Sequence, residues 1–344
     1  MIELVHKPHE RNLVAWARNR PDVLVLSGDL TGSTEIQLFK DTYPERFFSM
    51  GMAEQNMLSW AGGLAREGFV PFLHTFSVFL YRRPLDQLEM SVCYPNLPVR
   101  LIGFLPGLNT PGGVTHQAIN DLGVLRAIPN LTILETGDAT DVETVLDLTE
   151  EIPGPIYVRM LRGDVARLFP ANERIRLNNA RVVREGDDLA LITSGHCTSE
   201  AMRATAALAR RGVAIRHLHV STLKPFSDPL VEETIAVSGR GVITMENHLV
   251  TGGLGSAVAE MMAEKGIGGP LYRMGIRDTY AQGASFPYLL RKHGIDAKAL
   301  VDKVGTILGK NFRLTEDDLR VATVPVFPPS LVDERQGSER LEAL

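Results

Sequence analysis

The stretch Phe48-Ser49-Met50-Gly51-Met52-Ala53-Glu54-Gln55-Asn56-Met57 predicts the end of a buried strand, a glycine turn and the first turn of a helix. Glu54 falls in that first helical turn, flanked by Met50, Met52 and Met57. A carboxylate there is favoured by the positive end of the helix dipole. A carboxylate at a strand-to-helix junction with apolar neighbours can also hold a proton or share one with a ligand nitrogen. Both interpretations of Glu54 are open at this point.

The bulk composition is that of an ordinary globular protein. The chain has 344 residues, a length that predicts two domains with separate cores. Its net charge of -5 argues against nucleic acid or an anionic membrane as partner, because both need a basic face. The two cysteines, Cys93 and Cys197, cannot form a disulfide framework, and no C-x-x-C pair indicates a metal site.

Targeting segments are not expected. The first dozen residues are charged and lack the apolar centre of a secretory signal. No apolar run approaches the ~18 residues that a membrane span needs. We therefore expect a cytoplasmic protein.

Strand-like and helix-like segments alternate along the first half of the chain. The apolar run Val23-Leu24-Val25-Leu26 is typical of a parallel strand covered on both faces. Further strands are predicted at residues 69–73, 99–104, 131–134 and 156–159. Helices are predicted at residues 53–65, 75–92, 118–126 and 138–148. The alternation predicts a doubly wound α/β domain over residues 1–163.

The second half repeats the alternation after a break. Residues 164–186 lose periodicity and are predicted to be an interdomain linker. Strands and helices then alternate again from Leu189 to Leu308, which predicts a second, smaller α/β domain over residues 187–312. The tail, residues 313–344, is expected to be extended.

Three features of the first half could carry chemistry, and each has a structural alternative. The loop from Asp29 to Ser33 follows a strand end, where α/β domains bind ligands, or else it is an ordinary turn that caps the next helix. Phe76 and Phe79 could stack on a flat heterocycle or belong to the core. His116 follows the glycine-rich run Pro111-Gly112-Gly113, where backbone can approach a ligand, or lies on an incidental surface loop.

The second half offers weaker candidates. The run Gly252-Gly253-Leu254-Gly255-Ser256-Ala257 resembles a dinucleotide fingerprint, but no acidic residue follows at the required strand end. It is interpreted as a tight turn with close helix packing. His217 and His219 alternate along one strand without a third ligand nearby, so both are predicted to be structural.

Taken together, the ordered motifs resemble the pyrimidine-binding domain of transketolases, and the second unit is similar to their carboxy-terminal domain. The resemblance covers about residues 7–308. It rests on the following runs: Gly51-Met52-Ala53-Glu54-Gln55, Thr75-Phe76-Ser77-Val78-Phe79, Gly113-Val114-Thr115-His116-Gln117 and Leu125-Arg126-Ala127-Ile128-Pro129-Asn130. The Gly-Asp-Gly motif with which transketolases bind diphosphate and Mg²⁺ does not occur, and Ser27-Gly28-Asp29-Leu30 is not one. The chain therefore resembles the carboxy-terminal section of a split transketolase.

The resemblance implies roles for individual residues toward thiamine diphosphate. Glu54 would hydrogen-bond a ring nitrogen of the aminopyrimidine and so activate the cofactor. Phe79 would stack on the pyrimidine with Phe76 beside it. The other positions implied to lie at the cofactor are Asp29, Leu30 and Arg82, the last standing where a third aromatic is usual. Mg²⁺ would be held mainly by the partner subunit.

The resemblance also implies a substrate site. His116 would contact the reacting ketose, and Lys7, Ser33 and Arg162 would hold the sugar phosphate. Phe104 and Gly112 stand where the family has a histidine and an aspartate that bind sugar. Because both changes remove polar recognition, we expect an unusual donor or acceptor sugar.

The expected function is transfer of a two-carbon ketol unit from a ketose to an aldose, with thiamine diphosphate and Mg²⁺ as cofactors. The expected assembly is an α₂β₂ complex with a transketolase amino-terminal-section (α) subunit. Three alternatives are open: a deoxyxylulose-phosphate-synthase-like enzyme, a 2-oxo acid dehydrogenase β-type subunit, and a non-catalytic regulatory subunit.

Overall fold

The computed structural model describes residues 3–320, and its contacts divide them into two units. The amino-terminal unit comprises Leu4–Pro106 and Asp121–Arg176. The carboxy-terminal unit comprises Glu3, Gly107–Asn120 and the described residues from Leu177 onward. The glycine-rich loop of His116 thus belongs to the carboxy-terminal unit by its contacts. The boundaries expected at residues 163 and 187 stay predictions.

The amino-terminal unit alternates strands and helices. Its strands are β1 (Leu4–His6), β2 (Val23–Ser27), β3 (Phe47–Ser49), β4 (Val70–Phe76), β5 (Arg100–Phe104), β6 (Thr132–Glu135), β7 (Ile156–Met160) and β8 (Asp164–Ala166). Its α-helices are α1 (Pro8–Ala17), α2 (Gln37–Thr42), α3 (Glu54–Arg66), α4 (Ser77–Tyr81), α5 (Leu85–Gln87), α6 (Asp121–Leu125) and α7 (Ala139–Glu151). A 3₁₀ turn, Pro44–Arg46, and a π-helix, Leu88–Cys93, complete the unit.

Six strands of this unit pair in parallel within one sheet, in the order β6-β7-β5-β4-β2-β3. Strands β2, β5, β6 and β7 are buried along their whole length, as parallel strands covered by helices must be. The chain leaves β2 for β3 on one side and then passes to β4 on the other. The strand order therefore reverses at β2, and ligands of α/β sheets bind outside the carboxyl ends at such a point.

The prediction of one helix over residues 75–92 is wrong in two respects: the helical region begins later, and it is divided into separate segments. Strand β4 continues through Phe76, which pairs with Phe104 of β5. The helical region then breaks near Pro84, because proline has no N–H to continue an α-helix. The π-helix that follows packs against α3, where a Cβ on Gly62 would collide with the carbonyl oxygen of Ser91.

The carboxy-terminal unit is a second α/β unit, so the predicted fold class is confirmed. Its strands are β9 (Arg181–Arg184), β10 (Leu189–Thr193), β11 (Ile215–His219), β12 (Thr222–Lys224), β13 (Val242–Leu249) and β14 (Leu271–Ile276). Its helices are α8 (Cys197–Ala209), α9 (Pro229–Val237), α10 (Leu254–Glu264), α11 (Phe286–Lys292), α12 (Ala297–Leu308) and α13 (Glu316–Leu319). Five strands form a sheet in the order β14-β13-β10-β11-β9, in which only β9 is antiparallel to its neighbour.

Two predicted irregular segments contain regular structure. Residues 164–186, expected to be a linker, hold β8 and β9, and β8 pairs with β1 near the start of the chain. Such pairing with a distant strand leaves no periodic signal in a short segment. In the predicted tail, Thr315 and Asp318 form a capping box that starts α13. The rest of that tail, residues 321–344, lies outside the described residues. Across residues 3–320, no helix combines the length and apolar character needed to cross a bilayer.

Candidate functional site

Glu54 begins α3, and its carboxylate is buried. The residue is only 2% exposed. The N-cap residue, Ala53, has no side chain that could cap the helix. Glu54 Oε1 accepts a hydrogen bond of 2.7 Å from Arg83 Nη1, and the Arg83 side chain is 43% exposed. A carboxylate that served the helix dipole alone would gain from staying solvated. Its burial therefore favours the ligand interpretation of Glu54.

Gly28 and Thr75 border the Glu54 carboxylate. A Cβ built on Gly28 would lie 3.2 Å from Thr75 Oγ1 and 3.6 Å from Glu54 Oε1. Thr75 Oγ1 is buried and hydrogen-bonds to none of the described residues. The end of β2 thus keeps its backbone close to an unused hydroxyl and a buried carboxylate.

Phe76 and Phe79 form a stacked pair beside this carboxylate. Their ring centroids lie 5.9 Å apart at an interplanar angle of 26°, and both rings are half-buried. The guanidinium carbon of Arg83 lies 3.9 Å from the centroid of Phe79. One arginine therefore contacts both the Glu54 carboxylate and an aromatic face.

The apolar neighbours expected around Glu54 are only partly buried. Met57 is fully buried, Met50 is half-buried and Met52 is 77% exposed. Because α3 starts only at Glu54, Met52 lies in the preceding turn. The expectation that all three methionines wall the carboxylate is wrong for Met52.

Asp29 and Leu30 lie in the loop after β2, next to Gly28. Asp29 is exposed and adopts a left-handed conformation, with φ 64°. The capping alternative does not apply to this loop, because α2 begins at Gln37 after the N-cap Ile36, without a side-chain cap. The loop is held by its own hydrogen bonds instead, including 2.9 Å from Thr34 N to Leu30 O.

Lys7, Ser33 and Arg162 lie together, although 155 positions separate the first from the last (162 − 7). The backbone N–H of Lys7 donates to Gly163 O at 2.8 Å, and Arg162 Nη1 donates to Ser33 O at 2.9 Å. Lys7 is also the N-cap of α1, whose positive end adds to the two side-chain charges. The arrangement suits an anion.

Glu35 is a member of this group that the sequence did not reveal. It is 2% exposed, and its Oε1 accepts a hydrogen bond of 2.6 Å from Gly163 N. Burial raises the pKa of its carboxyl, against the opposing effects of Gly163, Arg162 and Lys7. The nearby positive charges thus only partly offset the cost of burying this carboxylate.

Arg82 and Arg83 take different partners. Arg82 Nε donates to the hydroxyl of Tyr81 at 3.0 Å, and its guanidinium lies over the Tyr81 ring. Arg83 is the arginine that reaches Glu54 and Phe79. A cofactor role for Arg82 stays a prediction, and no motif in the sequence indicated that Arg83 contacts Glu54.

His116 is half-buried in the Gly107–Asn120 loop of the carboxy-terminal unit. Its Nδ1 lies 2.8 Å from Thr115 Oγ1, and a Cβ on Gly112 would lie 2.9 Å from the ring. Glycine at position 112 therefore makes room for the imidazole. The helix expected directly after this run is wrong, because α6 begins only at Asp121.

A buried histidine pair supports the core next to β4. His9 Nε2 and His74 Nε2 lie 3.0 Å apart, and Phe104 packs edge-on against His9 at 5.5 Å. Burial lowers the pKa of His9 to about 3, and burial together with His9 lowers the pKa of His74. Both rings are therefore neutral. Phe104 itself is fully buried, so it serves packing at its position.

The weaker candidates of the second half have structural explanations. Glu246 is buried and accepts hydrogen bonds from Leu254 N at 2.7 Å and Gly255 N at 2.9 Å, so a carboxylate already caps the start of α10. A Cβ on Gly253 would collide with that carboxylate. His217 and His219 are fully buried and bond to Thr193 and Thr198 respectively. Among residues 3–320, no cluster of three or more His, Cys, Asp or Glu side chains could hold a metal ion.

Two domain families match the chain in succession. The pyrimidine-binding domain of transketolase matches residues 6–167, and the C-terminal domain of transketolase matches residues 178–300. The chain belongs to the transketolase family. A protein named as a transketolase C-terminal section from Methanocaldococcus jannaschii is 33% identical over 303 residues, which are 87% of this chain and 95% of that protein.

Other members of the transketolase family are similar over the same span. A 6-deoxy-6-sulfo-D-fructose transketolase subunit of Clostridium sp. is 35% identical over 88% of this chain and 94% of its own. A 1-deoxy-D-xylulose-5-phosphate synthase of Carboxydothermus hydrogenoformans is 32% identical, but the match covers only 48% of that protein. A solved split-gene transketolase, described as an inactive β4 tetramer, has a TM-score of 0.79 and 35% identity over 88% of this chain and 97% of its own.

Proposed function

We propose that this chain is the β subunit, or C-terminal section, of a split thiamine-diphosphate-dependent transketolase. It would transfer a two-carbon ketol unit from a ketose to an aldose. The observation that carries the proposal is the buried Glu54 carboxylate beside the stacked Phe76 and Phe79, at the point where the strand order reverses. The relatives named as transketolase sections support it.

The residues at Glu54 fit an aminopyrimidine. Gly28 leaves room beside the carboxylate, and Thr75 Oγ1 is a buried hydroxyl that hydrogen-bonds to no residue between 3 and 320. The face of Phe79 is already in contact with the planar guanidinium of Arg83, so it can accept a flat heterocycle. When bound, thiamine diphosphate supplies a carbon nucleophile that the side chains of this chain lack.

The chain's own residues would take five roles. Glu54 would share a proton with a ring nitrogen, and Phe79 with Phe76 would orient the ring. The loop of Asp29 and Leu30 would border the thiazolium end. His116 would contact the reacting ketose. Lys7, Ser33 and Arg162 would hold the terminal anionic group of the sugar. Mg²⁺ would be bound mainly by the partner.

The proposed partner is a transketolase amino-terminal-section (α) subunit in an α₂β₂ assembly, with each cofactor site shared between subunits. Large apolar side chains are exposed on and around α3: Met52, Trp60, Met90 and Tyr94. Such exposed apolar side chains on a folded unit favour an interface. The relative described as an inactive β4 tetramer supports self-association as well.

Two enzymatic alternatives share the same cofactor chemistry. A deoxyxylulose-phosphate-synthase-like activity is favoured by the similarity to the synthase of Carboxydothermus hydrogenoformans. A 2-oxo acid dehydrogenase β-type subunit would use the same glutamate. A non-catalytic regulatory subunit is the remaining alternative, and it gives no reason for a buried Glu54 beside stacked aromatic rings.

The test combines the chain with its partner section, thiamine diphosphate and Mg²⁺. Ketol transfer from a ketose to an aldose is the expected result, with no product when either section is omitted. Release of CO₂ from pyruvate without ketol transfer would replace the proposal by a decarboxylating activity. Assembly without turnover of any ketose or 2-oxo acid would favour the regulatory subunit.

A further inference from the structure

Lys7, Ser33 and Arg162 are the residues proposed to hold the anionic group of the sugar, and we call them the anion site. The buried carboxylate of Glu35 lies beside them and carries the opposite charge to Lys7 and Arg162. Glu35 Oε1 is used by Gly163 N, but Glu35 Oε2 is buried and hydrogen-bonds to none of the described residues. An unpaired buried carboxylate oxygen costs free energy unless a ligand or a cation compensates it. Among the described residues, no donor neutralises this oxygen, so its charge acts on any group that binds beside it.

The backbone conformation of Glu35 is a second indication of a functional role. Glu35 adopts a left-handed conformation with φ 55°, and Lys7 does so with φ 43°. Residues with side chains rarely adopt this conformation, and such strain clusters at functional sites. A glutamate in a position that glycine or asparagine would fill more easily indicates a role for its carboxylate.

The charges of Lys7, Arg162 and Glu35 determine which anionic group the site favours. Arg162 and Lys7 are both close enough to Glu35 to lower the pKa of its carboxyl, and Glu10 on α1 opposes them. Among the side chains assigned to the site, Lys7 and Arg162 are cations, Ser33 is neutral and Glu35 is a carboxylate, so Glu35 reduces the positive charge that the site offers to an anion. A phosphate monoester carries about two negative charges at neutral pH, whereas a sulfonate or carboxylate carries one.

We propose that Glu35 determines substrate specificity by favouring a sugar whose terminal group carries one negative charge over a sugar phosphate. The inference rests on the proposed function, in which Lys7, Ser33 and Arg162 hold that terminal group. The Glu35 carboxylate repels both charges of a phosphate dianion. A singly charged group meets about half of that repulsion.

The experiment compares Glu35→Gln with the wild-type chain in the assembled enzyme. Glutamine keeps the carbonyl oxygen that accepts from Gly163 N, removes the charge and replaces the second oxygen with an amide donor, which both terminal groups can accept from. Two three-carbon aldoses serve as acceptors, one with a phosphate monoester and one with a sulfonate at the terminal carbon. The control is Glu67→Gln, which removes one negative charge from an exposed residue at the end of α3.

Glu35→Gln should raise the ratio of kcat/KM for the phosphate over the sulfonate by about tenfold (about 1.4 kcal/mol), mainly through KM. The Glu67→Gln variant should keep the wild-type ratio. An unchanged ratio in a folded, active Glu35→Gln enzyme overturns the inference and leaves the proposed function intact. Absence of ketol transfer in the wild-type assembly would instead overturn the proposed function.

A second measurement covers a Glu35→Gln enzyme that assembles but turns over poorly. Binding of methyl phosphate and methanesulfonate to the assembled enzyme is followed by ligand-observed NMR. Wild type should bind methanesulfonate in preference, and Glu35→Gln should shift the preference toward methyl phosphate. The same preference in both proteins contradicts the inference.

Discussion

Arg83 Nη1 lies 2.7 Å from Glu54 Oε1 while the guanidinium carbon lies 3.9 Å from the ring centroid of Phe79. A single side chain thus engages the carboxylate and the aromatic face that the proposed function assigns to the aminopyrimidine. The hydrogen bond gives the buried carboxylate a partner of opposite charge. The cofactor and Arg83 would compete for the same groups.

Arg83→Met should strengthen binding of thiamine diphosphate by the assembled enzyme several-fold, because the donors that compete for Glu54 are gone. Methionine retains an apolar side chain of similar length. Isothermal titration calorimetry measures the cofactor Kd without depending on turnover. Arg66→Met, at an exposed arginine in the last turn of α3, is the control and should leave the Kd unchanged. Weaker binding in Arg83→Met alone would mean that Arg83 assists the cofactor rather than competing with it.

Glu54→Gln should abolish most activity while preserving the fold. The amide has the shape of the carboxyl group, but it cannot share a proton with a ring nitrogen in the same way, so we expect a loss of at least about 100-fold in kcat. The midpoint of thermal unfolding and the mass of the assembly check the fold. Glu45→Gln, at an exposed carboxylate, should retain activity. An active Glu54→Gln enzyme would return Glu54 to a role at the helix dipole.

Trp60→Glu should weaken assembly without unfolding the chain. Trp60 is 50% exposed on α3, so a charge there costs the monomer little but would be buried in an interface. Light scattering after size-exclusion chromatography, with and without the partner section, gives the mass of each assembly. Tyr280→Glu, at a more exposed side chain of the carboxy-terminal unit, is the control. Equal assembly of both variants would remove α3 from the proposed interface.

Stability should fall as the pH is lowered from 6.5 toward 4. Burial lowers the pKa of His9 to about 3, so the unfolded chain takes up a proton below its ordinary pKa of 6.5 that the folded chain excludes. Each such histidine removes about 1.4 kcal/mol of unfolding free energy per pH unit in this window. Urea unfolding at a series of pH values measures the slope.

The His9→Gln variant tests that assignment. Glutamine does not titrate, so the slope below pH 6.5 should fall by about one proton relative to wild type. His74 and His217, whose pKa values are also lowered by burial, should keep part of the slope. An identical slope in both proteins would mean that His9 is not excluded from protonation in the folded state.

Periodic features of the fold could be predicted from the sequence because they repeat over a few residues. The apolar run Val23–Leu26 identified the buried strand β2, and the residues around Glu54 identified the strand-to-helix junction. The ordered motifs indicated the transketolase family before any contact was known. The irregular helical region after β4 and the strands within the predicted linker were missed, because pairing and packing override local propensity there.

Long-range partners were decided only by the tertiary structure. The sequence determined that Glu54 stands in a first helical turn and that Lys7, Ser33 and Arg162 carry groups suited to an anion. It did not determine that Arg83 covers the carboxylate, or that Glu35 accepts from Gly163, which is 128 positions away. The preference for helix or strand depends on a few neighbouring residues in the sequence. A hydrogen-bond partner depends instead on which strands become neighbours in the sheet.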